Sequence, residues 1–313
     1  MRLLPTDLKI DFMGMSRYWI MLSLLLIAGS VYLWVDMGDL KYSVDYRGGT
    51  EVVVKFREST GAEEVRKNLA AQGVGDPLVQ AFEEFNFKSQ EFSIRVGESK
   101  SGENVKLKIE QALKVNFQDK FEILKSDVVG PTIGEELRKK AFISMIVGLV
   151  GILIYVAVRF EFAFALGAVL ALFHDVIIAT GIYLLCGRQI SGAYLAAALT
   201  LVGYSVNDTI IIFDRIREEI LKSKDFELVE VVNRAINATL SRTIITSLLT
   251  LFSAVALLLY GGGAIADLSL FLVVGIVVGS YSTIFIASPI VVMWERLVLS
   301  RGEKKRQAVA GAR

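Results

Sequence analysis

Cysteine, histidine and proline are close to absent from this chain: 313 residues carry one cysteine, one histidine and four prolines. A single thiol, Cys186, excludes an internal disulfide and any multi-cysteine metal centre. The one imidazole, His174, stands beside Asp175, and two ligands are too few for a closed metal site. Neither a metal nor a cofactor is therefore expected. So few prolines, in a chain patterned throughout, leave little room for long disordered linkers. Net charge is close to absent too: 34 Lys and Arg stand against 33 Asp and Glu, a balance of +1. That excludes the strong basic field with which a protein attracts nucleic acid.

Apolar surface is what the chain has in excess. It is 53% hydrophobic with a mean hydropathy of +0.52, yet 21% of its residues are charged. An ordinary soluble domain is less apolar, and a protein made only of membrane spans is less charged. The expected architecture is a polytopic α-helical membrane protein carrying one soluble domain. Six apolar stretches, at 18–35, 141–158, 162–185, 192–213, 241–260 and 265–293, each come near the ~20 residues a span requires. The first follows a charged start but has no small-residue cleavage site after it, so it reads as a retained helix and not a signal peptide. Lys and Arg in the short flanks set orientation. Arg2, Lys9, Arg17, Arg159, Arg215, Arg217 and Arg301 all fall on one side, while the short loops of the other side carry only Arg188. Both termini are thus expected in the cytoplasm. The chain divides into a cytoplasmic N-terminus (1–17), a first span (18–35), an exported segment (36–135), a bundle (136–293) and a basic cytoplasmic tail (294–313).

Within the exported segment, Glu51–Phe56, Leu78–Phe82, Glu91–Val96 and Phe121–Val129 read as strands, and Ala62–Ala71 and Gly102–Phe117 as helices. The order β-α-β-β-α-β is the split βαβ, or ferredoxin-like, arrangement. This α+β domain carries no nucleotide loop, nucleophile motif or metal cluster, so it is expected to bind or to move and not to catalyse. Gly48 and Gly49 lead into it, and Gly130 and Pro131 lead out. Gly pairs permit positive φ and Pro fixes it, so these four are hinge candidates; simple turns are the equal alternative. On the cytoplasmic side, Phe226, Val229, Val232, Ile236 and Leu240 give segment 214–242 an amphipathic face.

Polar residues inside the spans are the functional candidates. Asn207 and Asp208 are followed by the apolar run Ile210–Phe213 before the charged cluster begins at Asp214. At 1.5 Å per residue, Asp208 lies roughly 9 Å inside that cluster, where an ionisable group costs about 2.5–3.5 kcal/mol on insertion scales. Thr200, Tyr204 and Asn207/Asp208 share a helical face. The fifth span opens with Arg242, which stays charged at any relevant pH and either snorkels outward or reaches a carboxylate. Thr239, Thr243, Thr246 and Thr250 run up one face of that helix. His174 and Asp175, mid-span, are either a polar pair satisfied by neighbouring helices or part of a proton relay. Gly275 and Gly279 form a GxxxG pattern whose partner lies in this chain or another.

The segments DYRGGT (45–50), VGPTIGEEL (129–137), FHD (173–175), GYSVNDTIIIFDRIRE (203–218) and NATLSRT (237–243) together resemble the SecF family of bacterial SecDF protein-export complexes, within the resistance-nodulation-division superfamily. The resemblance runs over essentially the whole chain. It implies a proton-motive-force-driven subunit that assists preproteins emerging from the SecYEG channel. It also implies a SecD chain supplying six more spans, and the YajC and YidC accessory proteins as further neighbours. By the same resemblance Asp208, flanked by Asn207 and Thr209, is the proton carrier and Arg242 its functional partner. A small-molecule or lipid exporter of the same superfamily and a passive scaffold are the alternatives.

Overall fold

Residues 9–58, 60–75, 77–84, 87–97, 105–118, 120–222 and 227–297 are described by a computed structural model. The expected helix start at 102–104, Phe226 and the tail beyond 297 lie outside the described residues. Helix α1 (Phe12–Asp36) begins where Asp11 accepts a hydrogen bond from the backbone N–H of Gly14 at 2.9 Å, an N-cap that satisfies one orphan donor. A 3₁₀ turn (Gly38–Lys41) and one helical turn, α2 (Val44–Arg47), then lead into the domain.

The domain runs β1 (Gly49–Phe56), α3 (Ala62–Ala71), β2 (Leu78–Glu84), β3 (Phe87–Val96), α4 (Val105–Phe117) and β4 (Phe121–Val129). All strand pairs are antiparallel, in the order β2-β3-β1-β4, so the expected split βαβ topology is present. Period-two alternation sends Val52, Val54 and Phe56 of β1 and Phe92, Ile94 and Val96 of β3 to one face. There they pack on Val65 and Leu69 of α3 and Ile109 and Leu113 of α4. The other face is polar: Glu51 and Arg95 sit directly opposite in the register and pair at 2.7 Å.

Five further helices follow: α5 (Pro131–Arg159), α6 (Phe162–Leu185), α7 (Gly192–Lys222), α8 (Leu228–Tyr260) and α9 (Gly263–Ser282). The last continues through a π-helical turn at Thr283–Ala287 to Leu297. With α1 these make six helices long and apolar enough to cross a membrane. Helices α6, α7 and α9 form the bundle interior, while α1, α5 and α8 present apolar side chains such as Leu25, Val147 and Phe252 outward. Several helices outrun the apolar windows seen in the sequence. Helix α5 starts ten residues before its window, at a proline whose missing N–H suits a first turn. Helix α8 carries the amphipathic stretch straight into the fifth span as one rod, because nothing between Leu228 and Tyr260 breaks the backbone ladder.

Close backbone approach explains the glycines of both connections. Gly48 has φ +77, and a Cβ there would lie 2.8 Å from the Pro131 Cα; one on Gly134 would lie 2.7 Å from the Gly48 nitrogen. Gly49 pairs with Val129 in the sheet. Entry to and exit from the domain therefore cross at one point. A second seat comes from the α6–α7 loop: Ile190 exchanges backbone hydrogen bonds with Lys41 (2.7 Å) and Ser43 (3.0 Å), and Gln189 accepts from Arg95 of β3 at 3.1 Å.

Gly48→Ala should destabilise the protein by about 1–3 kcal/mol, through strain and the Pro131 clash together. Gly61→Ala, with open space around it, should leave the unfolding midpoint unchanged in the same thermal scan. A second outcome concerns acid. The Gly14 N–H and the Asn233 amide hold the Asp11 carboxyl below its ordinary range. A folded-state value below the unfolded one adds stability that is complete above about pH 4 and is lost as pH falls through the folded value. The midpoint difference between wild type and Asp11→Ala should accordingly shrink towards zero on acidification.

Candidate functional site in the helix bundle

Among the described residues three carboxylates of the spanning helices are buried, and neighbouring side chains serve them very differently. Asp267, near the start of α9, pairs with Arg188 at 2.8 Å. Asp175 of α6 is fully buried. Its Oδ1 meets His174 Nδ1 at 2.8 Å, and its Oδ2 accepts from Ser205 Oγ of α7 at 2.6 Å and Ser282 Oγ of α9 at 2.9 Å. With an ionised Asp175 as acceptor, Nδ1 of a neutral His174 carries the proton and Nε2 accepts. Two hydroxyls stand ready to donate to it: Ser23 of α1 at 2.8 Å and Tyr281 of α9 at 3.1 Å. The pair thus ties four helices, α1, α6, α7 and α9, into one network in which every polar atom named has a partner. Such a satisfied network holds a bundle in a unique arrangement.

Asp208 of α7 lies one turn beyond Ser205, about 4.5 Å further along the axis. It is 2% exposed, and among the described residues it receives a single side-chain hydrogen bond, from Ser247 Oγ of α8 at 3.3 Å. Ser280 Oγ of α9 in turn donates to Ser247 at 3.0 Å. A buried carboxylate with one long hydrogen bond is held weakly in either protonation state. Around it lie polar atoms with no partner among the described residues: Tyr204 Oη, one turn before Asp208 on α7, and Thr243 Oγ1, one turn before Ser247 on α8. Because α7 and α8 run in opposite directions, these two bracket Asp208 on the α7–α8 seam. Buried orphan hydroxyls of this kind are places where water belongs.

The other sequence candidates fall around this centre. Thr209 is buried and meets Thr283 of the π-helical turn, hydroxyl to hydroxyl, at 3.1 Å. Asn207 points to the exposed side of α7, and Arg242 is exposed on α8, about 7.5 Å along the axis from Ser247. No ion pair joins Arg242 to Asp208 in this structure. Thr239, Thr246 and Thr250 each donate to a carbonyl one turn back in α8, which leaves Thr243 as the orphan of that row. Gly275 and Gly279 find their partner in this chain, where α9 lies against Leu201 and Ser205 of α7. Among the described residues no three His, Cys, Asp or Glu side chains converge to hold a metal ion.

Ser23, Ser205, Ser247, Ser280, Ser282, Tyr281 and Thr283 escaped the sequence reading. Their only signal is a lone hydroxyl in an apolar run, and a serine in a span usually bonds its own helix. Which of them turn to a carboxylate depends on how the helices pack.

Comparison with known proteins places these helices. Residues 108–297 match the family model described as "Protein export membrane protein SecD/SecF, C-terminal". The chain is 37% identical over 305 residues to the protein translocase subunit SecF of Calditerrivibrio nitroreducens, covering 95% of this chain and 98% of that one. It is 38% identical over 298 residues to the SecF of Rickettsia rickettsii, covering 94% of each. Among solved structures, a crystal structure of SecDF, a translocon-associated membrane protein from Thermus thermophilus, superposes with a TM-score of 0.83 at 38% identity. That match covers 94% of this chain and 40% of the SecDF chain, so this chain spans about two fifths of that protein. A SecDF structure in a super-membrane-facing form matches with a TM-score of 0.71, at 37% identity over 97% of this chain and 41% of that one.

His174→Ala would take one partner each from Asp175, Ser23 and Tyr281 in the interior and should lower stability by about 1–3 kcal/mol. Thr250→Ala, on the exposed face, should stay within about 0.5 kcal/mol. Unfolding midpoints in detergent distinguish the two.

Proposed function

This chain belongs to the SecD/SecF family of protein-export membrane proteins, as a SecF member, and from that premise we propose that it couples proton movement to protein export through Asp208. The observation that carries the reading is the contrast between two of the buried carboxylates, Asp175 and Asp208. Asp175 accepts from three side chains and is fixed; Asp208 accepts from one and has orphan hydroxyls on both sides. A proton arriving at Asp175 would break a network that holds four helices, whereas one arriving at Asp208 meets little resistance. On this reading His174 and Asp175 hold the bundle together and Asp208 carries the proton, with Thr209 fixing the adjacent turn.

The rest of the reading follows from charge and geometry. The excess of Lys and Arg on one side puts both termini in the cytoplasm and the α+β domain on the exported side of a bacterial inner membrane. The solved SecDF chains are more than twice as long as the part that this chain matches, which supports a SecD subunit as the partner that brings further helices. Asn207, Arg242 and Thr250 are polar side chains exposed at membrane depth, and polar groups there belong against protein and not lipid. They face the SecD subunit, and Arg242 reaches Asp208 only in one of two arrangements of the halves. SecYEG, YajC and YidC are the neighbours of the complex, and unfolded preproteins its cargo. At 100 mV each proton delivers about 2.3 kcal/mol, enough to shift a two-state domain position roughly fortyfold. Gly48, Gly49, Gly130 and Pro131, stacked where the two connections cross, form one pivot for that motion.

Inverted vesicles containing this subunit and its SecD partner test the reading. Asp208→Asn should assemble normally and lose the part of preprotein export that depends on an imposed proton gradient, while Ser247→Ala should retain a reduced gradient response. Full gradient-dependent export by Asp208→Asn would leave a passive scaffold as the better account.

A further inference from the structure

Three consecutive residues of the α6–α7 loop tie the bundle to the α+β domain. Arg188 reaches inward, where its Nη1 donates to Asp267 Oδ1 of α9 at 2.8 Å. Gln189 reaches outward: its Oε1 accepts from Arg95 Nη1 of β3 at 3.1 Å, and its Nε2 donates to the Leu40 carbonyl at 2.8 Å. Ile190 holds the backbone of Lys41 and Ser43. On the sheet, Arg95 is anchored in turn by Glu51 at 2.7 Å. These groups are set mostly out of water: Gln189 is 7% exposed, and the side chains of Arg188, Asp267, Arg95 and Glu51 lie between 10% and 16%. The charges of Arg95 and Glu51 are near enough to act on Asp267 as well. A sheltered charge pair is costly to break, because each charge left behind is uncompensated. The loop is therefore held firmly at both ends.

Helix α9 connects the inward tie to Asp208. It is regular from Gly263 to Ser282 and packs against α6, α7 and α8. Asp267, near its start, and Ser280, near its end, lie about 20 Å apart along one uninterrupted axis. Ser280 donates to Ser247 at 3.0 Å, and Ser247 to Asp208 at 3.3 Å. One rod thus touches the hydrogen-bond chain of Asp208 at one end and the loop that grips the domain at the other. Ser282, fixed on Asp175 at 2.9 Å, is the point about which that rod turns. A tilt of about 5° there moves the Asp267 end by about 2 Å, the size of shift by which packed helices switch between arrangements.

We propose that Arg188, Asp267 and Gln189 are positioning residues for the coupling: α9 passes the protonation state of Asp208 to the α6–α7 loop through the Arg188–Asp267 pair, and the loop passes it to the domain through Gln189 and Arg95. The inference rests on the proton reading of Asp208 and adds the route by which that site is felt at the domain. It also gives a task to Arg188, the single cation of the short domain-side loops.

The test uses the full chain with a cysteine-free SecD partner in liposomes. Fluorophores on Lys67→Cys of α3 and Leu221→Cys of α7, in a Cys186→Ser background, read the position of the domain by single-molecule energy transfer, with and without an imposed proton gradient. With no further substitution, the gradient should change the ratio of the two populations by about tenfold or more. Arg188→Gln and Gln189→Ala should cut that change to less than about twofold, while the carboxylic-acid infrared band of Asp208 still titrates. Gln189→Ala leaves both ion pairs intact, so the result does not hang on how well Arg188→Gln folds. Arg188→Lys, which keeps the charge of a one-point contact, and Arg66→Gln, in an exposed pair with Glu63 on α3, should respond as the unsubstituted chain does. A response lost in Asp208→Asn but kept in full by Arg188→Gln and Gln189→Ala would overturn the inference and leave the reading of Asp208 standing, as would Arg188→Lys failing like Arg188→Gln. No response in the unsubstituted chain, or a full response in Asp208→Asn, would overturn that reading and the inference with it.

Discussion

A carboxylate buried among apolar helices must be supplied with hydrogen-bond donors or left free to take a proton, and Asp175 and Asp208 differ sharply in how many donors they have. The difference lies in which helices meet. Asp175 sits where α1, α6, α7 and α9 converge, and each contributes a donor or supports one. Asp208, a turn away on α7, faces the seam with α8, where Ser247 is its single donor among the described residues. On the α9 side Gly275 and Gly279 admit α7 closely, and on the α8 side Tyr204 and Thr243 keep hydroxyls with no partner among the described residues. The π-helical turn at Thr283–Ala287 lies in this same zone. Ser282 closes the regular part of α9 and reaches Asp175, while Thr283 opens the π-helical turn and meets Thr209.

The domain outside the bundle is attached with equal economy. Its first and last strands are neighbours in the sheet, so its entry and exit are adjacent of necessity. Glycine at 48, 49 and 134 lets the two backbones touch. The α6–α7 loop and the Arg95–Gln189 contact add a second point of support close to the bundle axis. On the proposed function, this sheet is the body that is repositioned.

The strand and helix order of the domain was legible because its pattern is strongly periodic: β1 alternates cleanly, and α3 opens and closes at the expected residues. The six spans were legible as apolar windows, but their helices were not legible at full length. Hydropathy sees where lipid is and says nothing of polar turns that continue the same backbone ladder, which is why α8 looked like two elements. Asp208, His174 and Asp175 stood out as polar residues where polarity is costly. Their different roles did not, because Ser205, Ser247 and Ser282 are ordinary residues whose meaning comes from which helix they face. Gly48, read from sequence as either a hinge or a simple turn, serves a close backbone contact with Pro131 that no pattern in a single sequence announces.

The account turns on Asp208 being the carboxyl that exchanges a proton while Asp175 does not. Infrared difference spectroscopy of the reconstituted complex, titrated across pH and followed in the carboxylic-acid C=O stretch, addresses that directly. A titrating band present in wild type and lost in Asp208→Asn is the predicted result. A band that persists undiminished in Asp208→Asn would place the exchanging proton elsewhere and contradict the division of roles between Asp175 and Asp208.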